Sequence, residues 1–377
     1  MSLTTSVRPR ARLRFHPLTV AAVEPLAADG SAVAVTFRVP DALRAEFAFA
    51  PGQHVTVRAS VDGSAVRRSY SLCSSPEELE RGGTLRIGIR AVPGGVFSAY
   101  ACGALTAGDT LDVLPPVGSF GTRFDPSRSR RYGAIAAGSG ITPVLSLARA
   151  ALSIERASTF TLLYGNRTVE STMFAEELAD LKDRHPRRLH LLYAFSRENP
   201  RLGLAGGRLD RATLADVLAR VLAPAPMDEW FLCGPAGLVR DSRLALVAHG
   251  VADSAVRVEL FGAGDGDPGE RVSLGGGPSP VPEGEARRLR VLLDGRTTVV
   301  RVRDDRTILD AALTVRPELP YSCRNGVCGT CRARVVDGQV SMSGGWALSA
   351  EELASGYVLT CRSVPAGECV TVDFDAL

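Results

Sequence analysis

Four cysteines, Cys323, Cys328, Cys331 and Cys361, stand in the pattern C-x4-C-x2-C with a distant fourth Cys. Thiolates at that spacing hold a plant-type 2Fe-2S cluster. Gly326 and Gly329, between the ligands, supply the backbone angles that let amides turn toward the sulfurs. A structural zinc ion also takes four thiolates, but zinc ribbons usually present paired C-x2-C units. The spacing therefore favours the cluster over zinc.

Two further stretches put glycine at the start of a helix. Gly94-Gly95-Val96-Phe97-Ser98 opens a short one, and Gly138-Ser139-Gly140-Ile141-Thr142-Pro143 lies between the run YGAIAA and another, with Pro143 expected as the first helical residue. Backbone amides at a helix N-terminus bind phosphate oxygens, and glycines let a dinucleotide's pyrophosphate come close. The second stretch is neither the six-residue dinucleotide fingerprint nor a Walker loop. Taken singly, each reads equally well as an ordinary turn.

Sites of this kind must be held by ordered elements. Over residues 15–125, runs such as AVAVTFRV, QHVTVRAS and TLRIGIRA alternate with period two between Asp-Gly and Gly-Gly turns, which predicts an antiparallel β-barrel domain. Over 126–261, the runs YGAIAAG, TFTLLYG, LHLLYAFS, EWFLCG and AVRVEL alternate with helical stretches such as TPVLSLARAAL and RATLADVLARVL, the pattern of a parallel α/β sheet. Residues 262–286 are dominated by Gly, Pro, Ser and acids and are expected to be a flexible linker. A hairpin around Asp294 and Gly295, the helix TILDAALTV and the cysteine loop follow in a last domain, 287–377. Residues 1–14, with four arginines and no acid, are expected to be a frayed tail.

At 377 residues and 45% hydrophobic content the chain fits two or three domains. Its net charge of +3 balances 44 basic against 41 acidic residues, which gives no electrostatic reason to expect nucleic acid or an anionic membrane as partner. Lys182 is the only lysine; nearly all the basic charge is arginine, from which no function follows. There is no run of about 18 apolar residues and no apolar secretory core near the N-terminus. A cytoplasmic protein is expected, and its cysteines read as metal ligands in a reducing compartment rather than as disulfides.

Arg68-Ser69-Tyr70-Ser71, followed by CSSP, resembles the R-x-Y-S signature of the ferredoxin-NADP reductase family. The resemblance implies FAD, with Arg68 pairing with the pyrophosphate, Tyr70 facing the isoalloxazine and Ser71 reaching N5. Gly94 to Ser98, about 25 residues on, matches the family's second pyrophosphate segment. Cys233-Gly234-Pro235, after the strand EWFL, is similar to the family's C-G-P element beside the nicotinamide ring, with Glu259 and Phe261 implied near the flavin. Ordinary strand residues would look the same at Cys233, Glu259 and Phe261. Arg167 in YGNRT and Ser196-Arg197 in FSRE suit a 2′-phosphate, which favours NADPH over NADH.

Residues 287–377 resemble plant-type ferredoxins throughout, implying a β-grasp α+β fold. They hold 12 Arg against 11 acids, whereas many free ferredoxins are strongly acidic, so this domain suits fusion to its own electron source. The lone Cys369 in ECVTVDF is expected to be core packing. The whole chain resembles oxygenase reductase components with a C-terminal ferredoxin, most of all those of ring-1,2-phenylacetyl-CoA epoxidases, through FHPLTV, PGGVFSAY, LLYGNRTVESTMFAEELADLK and YSCRNGVCGTCRARVVDGQVSM. The implied path runs from NADPH through FAD, with Tyr70, Ser71, Thr142 and Cys233 placing the hydride, to the cluster and on to an oxygenase, with a di-iron partner favoured. Reductases of Rieske-type steroid or aromatic-ring hydroxylases, or of a hybrid-cluster protein, share the pattern. A non-catalytic zinc scaffold would have no use for RSYS, GSGITP and CGP together.

Overall fold

A computed structural model of the chain describes residues 13–198, 207–222, 227–261, 271–274, 287–303 and 306–376. They divide into two compact units, one spanning His16–Gly266 and one spanning Asp267–Leu377 with Met1–Phe15.

The first unit opens with six antiparallel strands: β1 (His16–Pro25), β2 (Ala32–Arg38), β3 (His54–Val61), β4 (Ser64–Ser71), β5 (Thr84–Arg90) and β6 (Thr110–Val113), in the order β4-β3-β6-β1-β2-β5. A bridge from Leu72 to Ile87 brings the two ends of this sheet together. Inward residues such as Leu18, Phe37, Val55, Val57, Ile87 and Ile89 form its core, as the period-two alternation requires. Two short helices interrupt the strands, α1 (Pro76–Gly82) and α2 (Val96–Gly103). The first is fixed by a capping box between Ser75 and Glu78.

The same unit continues as β7 (Arg131–Ala137), α3 (Ile141–Ile154), β8 (Thr159–Asn166), α4 (Ala175–Arg184), β9 (Leu189–Phe195), α5 (Arg211–Arg220), β10 (Glu229–Gly234), α6 (Ala236–Ala248) and β11 (Val256–Leu260). All five strands are parallel, in the order β11-β10-β7-β8-β9. Strands covered on both faces read as unbroken apolar runs, and β10 is buried along its whole length. Leu26, Ala34, Cys73 and Phe120 of the barrel share one core with α3 and α4, so the two halves of this unit are packed together.

In the second unit, β12 (Arg271–Leu274), β13 (Arg287–Leu293), β14 (Arg296–Val302), α7 (Ile308–Leu313), β15 (Arg332–Asp337), β16 (Val340–Ser343), α8 (Ala350–Ala354), β17 (Tyr357–Leu359), β18 (Ser363–Pro365) and β19 (Cys369–Asp373) follow in order. A five-stranded mixed sheet, β14-β13-β19-β15-β17, carries α7 against its core, and a three-stranded sheet, β12-β16-β18, lies beside it. Asp294 and Gly295, at φ of 57° and 66°, make the tight turn of the β13–β14 hairpin. Within the stretch expected to be linker, Arg271–Leu274 pairs as a strand with β16. The rest of 262–286 lies outside the described residues, as does most of the expected N-terminal tail. Cys369 is half-buried at the start of β19, not sunk in the core as expected.

Candidate active site and iron–sulfur centre

Strand β4 delivers the R-x-Y-S residues in sequence. Arg68 is exposed, and its Nη1 donates to the Arg67 carbonyl at 2.8 Å. The Ser69 hydroxyl meets Thr56 Oγ1 on β3 at 3.1 Å. Tyr70 packs on Phe97 with ring centroids 5.6 Å apart, and burial pushes its phenol well above the usual range. Because Phe97 is the second residue of α2, this contact sets the end of β4 beside the helix N-terminus. No side chain caps α2, whose N-cap is Gly95. Tyr70 thus stands beside the uncapped first amides of α2, an arrangement that fits a flavin dinucleotide. The Ser98 hydroxyl instead staples the turn, accepting from the Val92 amide and donating to the Gly95 carbonyl, each at 3.1 Å. Val96 is 47% exposed.

At the C-terminal ends of the parallel strands, the turn Gly138–Gly140 leads into α3. That helix begins at Ile141, two residues before Pro143, the residue expected to open it. Its first turn also has no side-chain cap, which leaves amides for a pyrophosphate. Gly140 abuts the end of β10: a Cβ there would lie 2.2 Å from the Cys233 carbonyl oxygen. Only glycine allows GSGITP and Cys233-Gly234-Pro235 to meet backbone to backbone. Thr142 is buried, its hydroxyl donates to the Ser139 carbonyl at 2.9 Å, and its methyl rests in the space left by Gly88 of the barrel.

Glu259, on β11, joins these halves. Ser71 Oγ donates to its Oε2 at 2.9 Å, Cys233 Sγ lies 4.0 Å from the same oxygen, and His54 Nδ1 lies 3.9 Å from Oε1. Burial raises the Glu259 carboxyl to about 8 and drives the Cys233 thiol well above its ordinary range. Near neutrality both sit uncharged beside Ser71. Phe261, two residues on, is 43% exposed. His54 escaped the sequence reading; a histidine opening an apolar strand after Pro-Gly-Gln was its only signal.

Arg167, Ser196 and Arg197 are brought together because the loops after β8 and β9 are laced by Ser196 N to Asn166 O at 3.0 Å and Arg197 N to Arg167 O at 2.9 Å. Among the described residues no carboxylate pairs with either arginine. That arrangement can hold a phosphate.

In the second unit, Cys323 contacts Cys328 and Cys331 contacts Cys361 through their thiols. The hydrogen bond each shares with its neighbouring thiol, and then burial, hold Cys323 and Cys331 far above the usual thiol range, which a bound cation would reverse. Four thiols in two contacting pairs are a donor set that fits two irons with two thiolates each. Arg324 takes a positive φ of 58° between the ligands, and the Asn325 amide points at Cys323 Sγ at 3.4 Å. Gly326 and Gly329, at φ of 77° and 66°, adopt the angles expected of them. Thr360 N and Oγ1 both donate to the Cys331 carbonyl, which ties the loop to Cys361.

Comparison with known proteins agrees with this division. Residues 19–121 match an oxidoreductase FAD-binding domain, 134–243 an oxidoreductase NAD-binding domain and 291–366 a 2Fe-2S iron–sulfur cluster binding domain. The chain is 44% identical over 363 residues to a subunit of the 1,2-phenylacetyl-CoA epoxidase of Escherichia coli (strain K12), covering 96% of this chain and 98% of that one. It is 32% identical to the ferredoxin reductase component of 3-ketosteroid-9-alpha-monooxygenase of Rhodococcus rhodochrous, covering 95% and 96%. The fold matches phthalate dioxygenase reductase with a TM-score of 0.55 at 22% identity, covering 96% and 98%. The chain belongs to the ferredoxin-NADP reductase family, as an oxidoreductase with a C-terminal 2Fe-2S ferredoxin domain that passes electrons from a nicotinamide cofactor through FAD to the cluster.

Proposed function

We propose that this chain is the reductase component of an oxygenase that epoxidises the ring of phenylacetyl-CoA, drawing electrons from NADPH and delivering them to a di-iron partner in the cytoplasm. The observation that carries this reading is the 44% identity with the Escherichia coli epoxidase component, which extends over 96% of this chain and 98% of the other. Among the described residues no helix is long and apolar enough to cross a membrane.

FAD would take two electrons together as hydride and release them one at a time. Arg68 and the amides of α2 would hold its pyrophosphate, with Tyr70 against the ring. The Gly138–Gly140 turn and Gly234-Pro235 would seat the nicotinamide dinucleotide, and Arg167, Ser196 and Arg197 its 2′-phosphate. Buried Thr142, Cys233 and Ser71 exclude water where hydride passes, and Glu259 holds a proton at the carboxyl that Ser71 meets.

Purified with the oxygenase subunits of a phenylacetyl-CoA epoxidase, the chain is expected to support NADPH-dependent product formation. Arg167→Glu with Arg197→Glu should raise KM for NADPH about tenfold or more and leave NADH nearly unchanged. Absence of coupling, with good coupling to a 3-ketosteroid hydroxylase, would favour the second reading, which the 32% identity to the Rhodococcus component supports.

A further inference from the structure

Barrel and parallel sheet enclose a cleft of about 600 Å³ that the flavin and nucleotide residues leave unused. Arg130 precedes β7, Glu229 begins β10 and Arg257 is the second residue of β11, so the cleft lies at the N-terminal ends of the parallel strands. The nucleotide turns Gly138–Gly140 and Gly234 stand at the opposite ends. Barrel loops form the other wall, closed backbone to backbone. A Cβ on Gly52 would lie 2.4 Å from the Phe120 carbonyl oxygen, and one on Gly121 2.5 Å from that of Pro51. The volume falls within the range of about 300–1,000 Å³ typical of small-molecule sites.

Its lining is cationic. Arg123, Arg128, Arg130 and Arg257 share one carboxylate, Glu229, which leaves a surplus of three positive charges. Glu229 Oε1 takes Arg257 at 3.1 Å, and Oε2 lies 3.6 Å from Arg130. Among the described residues no carboxylate pairs with Arg123 or Arg128. Asp125, on the same loop, spends its Oδ1 on the Ser127 amide and hydroxyl at 2.9 and 2.7 Å, and Asp228 accepts from the Arg131 amide at 2.7 Å. The loop adds neutral donors, since the amides of Ser119, Gly121, Thr122 and Arg123 give to no group among the described residues.

Two buried polar atoms of this lining hydrogen-bond to nothing in the chain: the donor Arg257 Nε and the acceptor Glu229 Oε2. Buried polar atoms are ordinarily paired, so this pair states what would complete the site. An oxyanion answers Nε, and a hydroxyl answers Oε2. No aromatic side chain lines the cleft, so a nucleobase finds nothing to stack on. We propose that the cleft binds a phosphate ester of a hydroxylated carbon chain, the chemistry of a sugar phosphate. The arginines hold the phosphate, as forked guanidinium groups do, and Glu229 accepts from a hydroxyl. A ligand so placed ties the loops of the barrel to the edge of the sheet.

The test follows thermal unfolding of the FAD-loaded chain by flavin fluorescence, with NADP+ present to fill the nucleotide turns and sodium chloride at matched ionic strength as control. The rise in midpoint with ligand concentration gives each affinity. Ribose 5-phosphate should bind about tenfold more tightly than inorganic phosphate, which has no carbon-borne hydroxyl for Glu229. Arg257→Gln should weaken both about tenfold, and Arg123→Ala, at an exposed rim position, about threefold without disturbing the unliganded midpoint. Glu229→Gln should erase the advantage of ribose 5-phosphate while binding inorganic phosphate no more weakly than the parent, a split that mere loss of structure would not give. No shift beyond that of sodium chloride, equal affinity for the two anions, or affinities that all three variants leave unchanged would each overturn the site. Adenosine 5′-monophosphate carries the same ester beneath a base; binding tenfold tighter than ribose 5-phosphate would overturn the assignment to a sugar phosphate.

Discussion

Glu259 carries an electrostatic cost of burial, and its effect on stability has a defined sign. Burial lifts its carboxyl from 4.5 to about 8, so between those values the folded chain binds a proton that the unfolded chain has lost. Stability from this group is complete below about pH 4.5 and declines as pH rises toward 8, at up to about 1.4 kcal/mol per pH unit. Glu259→Gln, which keeps the shape and an acceptor for Ser71, should remove that slope. Urea unfolding of both proteins at several pH values between 5 and 9 checks it, and parallel curves would mean that the carboxyl is not desolvated as its position implies. The Ser71 hydroxyl keeps its partner in the variant, so a loss of flavin is not expected to confuse the comparison.

At the scale of elements, a buried ionic knot fastens the barrel to the nucleotide-binding half. Glu177 on α4 takes Arg86 of β5 at 2.6 Å and also Arg149 of α3, and Arg149 reaches the Cys73 carbonyl at 3.1 Å. Ser146 adds a bond to the Ser74 carbonyl at 3.0 Å. Both arginine side chains are 18% exposed, and each keeps a second carboxylate, Glu24 at 3.8 Å for Arg86 and Glu78 at 3.5 Å for Arg149, so Glu177→Ala should cost about 1.5 kcal/mol in urea unfolding. It should also slow hydride transfer, since Thr142 and Gly88 meet across the same seam. A loss below about 0.5 kcal/mol would show the knot to be solvated. None of this is legible in the chain, because Arg86 and Glu177 are 91 residues apart and Ser71 and Glu259 are 188 apart. What is legible is local. Buried parallel strands such as β10 announce themselves as apolar runs, and three of the four cluster ligands sit in one loop. By contrast, Ser98 and Thr142 look like ligands in sequence, yet their hydroxyls are spent on their own turns. The strand at Arg271–Leu274 is hidden by Gly and Pro on either side, and only its partner β16 reveals it.

At the scale of the whole chain, each unit buries a core of its own, the cluster unit around Leu289, Val291, Leu309, Ala333 and Val372. Each is therefore expected to fold without the other, and the covalent connection to matter for rate. The short stretch from the end of β11 at Leu260 to the start of β12 at Arg271 holds the two partners at an effective concentration of about 1 mM. If residues 16–266 and 267–377 are produced separately, the first should bind FAD and reduce ferricyanide from NADPH at nearly the full rate. The second should assemble a cluster with the absorbance of the intact chain. Mixed at about 10 µM each, they should reduce the cluster about a hundredfold more slowly than the intact chain and gain in proportion to concentration. Stopped-flow absorbance at the cluster bands gives both numbers. A mixture as fast as the intact chain would mean that the two units bind each other tightly without the tether. The stretch between β11 and β12 would then serve only to keep them in one molecule, and shortening it should change nothing.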